Sequence, residues 1–118
     1  MIPVVDIDKT AIPPFFKKAL NACVQYVLQT PLAGVQKVIL FGSLARSDIK
    51  CTSDIDLCIV FDDDIDLSSK DVAFFKLSLS ACSEIDADVV CCHKRTLEHS
   101  DHLLFRDIRR DGVLLLER

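Results

Sequence analysis

A small α/β domain, a mixed β-sheet packed with about four helices, is the fold this chain predicts. Two apolar runs, Val35–Phe41 and Ile55–Phe61, have the length and the β-branched content of strands, and the second is apolar on both faces beyond Asp56. Apolar residues recur at three- to four-residue spacing from Phe15 to Leu28 and again from Val72 to Cys82, the pattern of helices with one buried face. Strand-like and helix-like segments then alternate to the end of the chain, which is the pattern of a layered α/β domain. The 118 residues suit a single domain, taken as 1–118, and at 50% hydrophobic they can fill a core without covalent staples.

Residues 1–10 read as a short extended arm. Pro13 and Pro14 suit the first turn of a helix that runs to about Gln29 and stops at Thr30-Pro31. After the strand Val35–Phe41, residues Gly42–Ser47 form a turn into a short helix or loop. Beyond the second strand, Asp62, Asp63, Asp64 and Asp66 make an acidic, solvated loop. Ser68 or Ser69 caps the next helix, with Asp71 at the positive end of its dipole and Val72, Phe75, Leu79 and Cys82 inward. Ala87–Cys92 is a third strand. Thr96 or Ser100 opens a last helix with Leu103, Leu104 and Ile108 inward, and Gly112 ends it as the residue after the C-cap. Val113–Leu116 is a short final strand or tail.

The net charge of −4 and the lack of a basic patch argue against nucleic acid as the partner. No apolar run reaches the roughly 18–20 residues that span a bilayer, and MIPVVDIDKT does not read as a secretory leader. The chain is therefore expected in the cytoplasm, with its six cysteines as reduced thiols. Cys23, Cys58, Cys82 and either Cys91 or Cys92 sit in apolar periodic segments and read as small core residues. Cys51 lies in a loop and reads as an exposed thiol. Cys91, Cys92, His93, His99 and His102 could suggest a zinc cluster, but no C-x-x-C pair supports one, and neighbouring strand residues face opposite ways. An apolar patch on the first or last helix would suit a partner or a second copy of the chain, and in the sequence it reads equally as core.

The chemistry concentrates in VILFGSLARSDIKCTSDIDLCIVF, Val38 to Phe61. Asp54 and Asp56 are two apart and share one side of a strand. Two adjacent anions repel unless a cation lies between them, and Mg²⁺ prefers one or two carboxylates together with substrate phosphates. Gly42 lets backbone approach a phosphate closely, and the Ser43 hydroxyl and neighbouring N–H groups can hold phosphate oxygens. Arg46 could add its planar fork to the same phosphates. Asp88, on the third strand, supplies a third carboxylate. Asp86, two residues before it, reads as a strand-end residue. This set suits a two-metal phosphoryl-transfer site with Mg²⁺ or Mn²⁺ and a nucleoside triphosphate.

These residues resemble the DNA polymerase β-like nucleotidyltransferase superfamily, whose pattern is an apolar strand, G-S, a spacer, D-x-D and a later-strand Asp. Here the pattern reads FGSLARSD, SDIDLCIVF and DADVV. The ten-residue spacer and short length resemble the minimal nucleotidyltransferase (MNT) class. Leu44 stands where such proteins often carry Arg, and Ser47 where Gly is common. The resemblance implies Asp54, Asp56 and Asp88 as metal ligands and catalytic residues, with Gly42 and Ser43 at the nucleotide phosphates. It implies transfer of AMP from ATP to a hydroxyl on a HEPN-domain toxin, with this chain as antitoxin.

Four other readings fit parts of the sequence. One is an antitoxin that acts by binding alone. Another is transfer to a small-molecule hydroxyl such as an antibiotic, which usually needs an added helical domain. Val4–Thr10 resembles the nucleophile strand of haloacid dehalogenase-type phosphatases, but the chain lacks a clear late acidic motif for that fold. Finally, a glycosyltransferase D-x-D normally belongs to a much larger chain.

Overall fold

The computed structural model describes residues 2–3, 5–30, 32, 34–46 and 54–117; Ser47 and Cys51 lie outside that set. Five strands form one mixed sheet in the order β1-β5-β2-β3-β4, with β1 Ile2–Pro3, β2 Val35–Phe41, β3 Ile55–Phe61, β4 Ala87–His93 and β5 Val113–Glu117. The helices are α1 Pro14–Gln29, α2 Gly42–Ala45, α3 Lys70–Ala81, α4 Lys94–His99 and α5 Leu103–Asp111. Among the described residues only β3 and β4 pair in parallel; they are joined through α3, and β2 runs antiparallel to both β3 and β5. The end of β2 and the starts of β3 and β4 therefore share one edge of the sheet.

The alternation of side chains along the strands builds two cores. Ile55, Leu57, Ile59 and Phe61 of β3 pack with Phe16, Leu20, Val24 and Val27 of α1 and Val72, Phe75 and Leu79 of α3. On the opposite face, Cys58 and Val60 pack with Ile39, Cys92, Leu97 of α4 and Ile108 of α5. Asp56 and Asp88 lie on this second face, at the shared edge of the sheet.

Helix boundaries follow local chemistry. Pro13 is the N-cap of α1 and Pro14 its first residue, where a missing N–H costs nothing. Ser69 caps α3, its hydroxyl accepting from the Val72 amide at 3.3 Å. The acidic loop is partly built into the fold. Asp63 accepts the Arg95 amide at 3.0 Å, Asp66 accepts the Ser68 amide at 2.9 Å, and Asp62 accepts from Gln36.

The last helical segment differs from the expectation of one helix: it is two. Ser100 ends α4, and the His102 ring accepts the Leu104 amide at 3.2 Å to start α5. Arg109 folds back to donate to the Ser100 carbonyl at 2.9 Å and to the Leu97 carbonyl, satisfying acceptors at the end of α4. The break resets the helical phase. Leu104 and Ile108 face the sheet, while Leu103, expected inward, is 66% exposed.

Gly112 follows α5 with φ −64°, not the left-handed conformation of a glycine cap. Its lack of a side chain serves packing instead, because a Cβ there would meet the Ile108 carbonyl oxygen and Ile39 Cγ2. The segment expected to be an extended arm contains a 3-10 turn at Ile7–Lys9, capped by Asp6. Asp6 and Asp8 thus sit in a turn, which removes the phosphatase-like strand. On α3, Phe74 and Leu77 are 71% and 72% exposed. No helix among the described residues is long and apolar enough to cross a membrane.

Candidate active site

The site begins where β2 ends. Phe41 lies opposite Asp56 in the antiparallel register, and the chain turns at once into α2 through Gly42, whose φ is +74°. That φ favours glycine. A Cβ at Gly42 would also collide with the Asp56 carboxylate and lie 3.0 Å from its Cγ. The glycine and the D-x-D carboxylate thus touch across the edge of the sheet. Leu44 anchors α2 in the first core at 2% exposure, so the residue standing where Arg is frequent does packing work here.

Asp56 pairs in register with Asp88 on β4, so the two carboxylates stand side by side on one face. Asp56 is half-buried; burial pushes its carboxyl above the ordinary range, and the charges of Asp88 and Asp54 push the same way, partly offset by Arg46. Asp54, Asp88 and Arg46 are exposed. Arg46 closes α2, its amide donating to the Gly42 carbonyl at 3.2 Å. Ser43 occupies the second position of α2, half-exposed beside Gly42.

Gly42, Asp56 and Asp88 are therefore brought together by strand register, and Asp54 and Arg46 act on Asp56 electrostatically. Among the described residues, no three His, Cys, Asp or Glu side chains form a ready-made metal cage. What these residues offer is a half-buried carboxylate with a raised pKa beside a second carboxylate. Such a pair fits a hard divalent cation that keeps waters and takes its remaining ligands from phosphates.

Asp86 keeps a structural part: its carbonyl accepts the Ile55 amide at 3.1 Å and aligns β3 with β4. Asp111, at the end of α5, has no role in the sequence reading, yet Arg46 helps lower its carboxyl after the larger effect of its Arg110 hydrogen bond. Only the fold of α5 beside α2 makes this proximity, and no spacing in the chain signals it. The residues suggestive of zinc are dispersed. His93 Nε2 contacts the Ile65 carbonyl at 2.7 Å, His102 caps α5, and Cys91 and Cys92 belong to opposite cores.

Residues 23–118 match the family model for polymerase beta, nucleotidyltransferase. The chain belongs to the polymerase beta-like nucleotidyltransferase family. Its fold is similar to that of a toxin–antitoxin crystal structure with AMP-PNP, at TM-score 0.61 and 20% identity, covering 83% of this chain and 73% of the other. It is similar to a candidate nucleotidyltransferase from Sulfolobus solfataricus, at TM-score 0.55 and 25% identity over 86% of this chain and 79% of that one. It is also similar to a chain of the complex between MNT antitoxin and tri-AMPylated HEPN toxin from Shewanella oneidensis, at TM-score 0.54 and 17% identity, covering 85% and 73%. No curated protein matches the sequence.

Proposed function

We propose that this nucleotidyltransferase-family chain moves AMP from ATP to a hydroxyl of a HEPN-domain protein, in Mg²⁺- or Mn²⁺-dependent fashion, as the cytoplasmic antitoxin of a two-protein system. The observation that carries the reading is the contact of Gly42 with Asp56, with Asp88 in register beside it. This contact joins the two halves of the sequence pattern at a single edge. The relatives that contain AMP-PNP or AMPylated HEPN toxin support the nucleotide and the acceptor.

Asp56 and Asp54 would hold the metal, and Asp88 would complete the set. When bound, the metal neutralises triphosphate charge and acidifies the attacking hydroxyl. Gly42 leaves room for the Asp56 carboxylate to lie against the turn, Ser43 donates its hydroxyl to phosphate oxygens, and Arg46 supplies positive charge. The acceptor oxygen bonds to the α-phosphorus, the bond to the β-phosphate oxygen breaks, and pyrophosphate leaves. Asp88 takes the hydroxyl proton.

The test incubates the chain with α-labelled ATP, Mg²⁺ and a candidate HEPN-domain partner. Label should pass to that protein with the parent chain and not with Asp56→Asn. If the toxin is neutralised without label transfer, the chain acts by binding alone. Label on a small hydroxylated compound instead would move the acceptor to that class.

A further inference from the structure

Among the described residues two thiol pairs lie within the fold, and one of them has an entrance. Cys23 of α1 and Cys82 at the end of α3 have their sulfurs 3.4 Å apart, although the residues are 59 apart in sequence. Cys58 and Cys92 on neighbouring strands have theirs 3.6 Å apart. Cys58 and Cys92 are 0% and 3% exposed, sealed inside the second core. Cys82 is half-exposed and lines a cavity of about 240 Å³ together with Phe15, Lys18, Ala22 and Glu84.

We infer that Cys23 and Cys82 form a dithiol modification site that takes a low-molecular-weight disulfide and closes into an internal disulfide. Access decides the order of events. Cys82 meets solvent at the cavity, whereas burial, with a further contribution from Cys82, pushes the Cys23 thiol up to about 12. The Cys82 thiolate attacks one sulfur of the reagent, forming a mixed disulfide and releasing one reagent thiolate. The Cys23 thiolate then attacks Cys82 Sγ, the protein S–S bond forms, and the second reagent thiol leaves. The two electrons lost by the protein dithiol go to the reagent disulfide, and the two protons end on its thiols. The second step is intramolecular between sulfurs 3.4 Å apart, and this proximity offsets the scarcity of the Cys23 thiolate, so the mixed disulfide does not accumulate.

Closure ties the second half of α1 to the end of α3, immediately before the Ser83–Asp86 turn that leads into β4. The link would close a long loop, and restricting that loop in the unfolded chain should raise the melting temperature by roughly 5–10 °C.

The experiment treats the full chain with oxidised glutathione, alkylates free thiols, and maps the cysteines by mass spectrometry. The parent should lose two hydrogens in mass, carry a Cys23–Cys82 link, and keep Cys58 and Cys92 free until denatured. Cys23→Ser should stop at a stable glutathione adduct on Cys82, and Cys82→Ser should form neither link nor adduct at Cys23. Cys82→Ala, at a half-exposed position, repeats the second result should the serine variant fold poorly. A persistent adduct on parent Cys82 would overturn the inference. So would a link through Cys51 or Cys91 in its place, or an unreactive Cys82 in conditions that modify the unfolded chain.

Discussion

Asp56 is the residue on which burial, repulsion and ligand binding converge. Its carboxyl is raised above the ordinary 3.8, first by burial and then by Asp88 and Asp54. The folded chain therefore holds that proton more tightly than the unfolded chain. The stability this brings is complete below the unfolded value and is lost as pH rises through the higher folded value. Removing the charge should help the metal-free protein at neutral pH. Asp56→Asn is expected to melt roughly 1–3 °C higher in metal-free buffer at pH 7, a small gain because solvent screens the site. The gain should vanish near pH 3 in thermal melts, and nucleotidyl transfer should be lost. At Gly42 the cost has the opposite sign. Gly42→Ala must hold an L-residue at φ +74° and press a methyl into the Asp56 carboxylate. Denaturant titration should show a loss of about 2–4 kcal/mol, with transfer falling at least as steeply.

At the scale of elements, the strands were the most legible part of the chain. Val35–Phe41 and Ile55–Phe61 were readable to the residue because apolar runs end abruptly at Gly42, Asp54 and Asp62. The α3 cap was narrowed to Ser68 or Ser69 by chemistry and decided by geometry. Ser69→Ala should cost about 1 kcal/mol in urea unfolding, the usual worth of an N-cap hydroxyl. The last helical segment reads as one helix in the sequence because its break depends on Arg109 reaching back to the end of α4, a contact that no local propensity encodes. The same limit applies to Gly112. Its place after a helix suggests a left-handed cap, but its backbone is extended and the constraint is the contact with Ile39 and the Ile108 carbonyl. Gly112→Ala should therefore destabilise by about 1–3 kcal/mol through overpacking. Chemical denaturation should detect this, although the backbone angles there are ordinary for alanine.

Across the whole molecule, three separated segments form one edge: the end of β2 and the starts of β3 and β4. A cavity of about 640 Å³ lined by Tyr26, Phe74 and Phe75 lies at the other end of the sheet, beside the loop after β3, and has no part in this arrangement. If the Asp56 edge is where nucleotide binds, Mg²⁺ with ATP should raise the melting temperature of the parent, since a ligand of the folded state alone stabilises it. The shift should be absent in Asp56→Asn and intact in Asp71→Asn, whose carboxylate lines the distant cavity. Equal shifts in all three proteins would place nucleotide binding elsewhere.

The order of apolar runs, turn residues and caps by itself determined the α/β class, the two central strands and the family, because these depend on interactions between near neighbours and on a motif whose parts follow one another in order along the chain. Only the tertiary structure decided that Asp88 stands in register with Asp56, that Gly42 touches that carboxylate, and that Cys23 meets Cys82. Each of these pairs is set by how strands and helices from distant parts of the chain pack, and packing is a property of the assembled layers that no single segment carries.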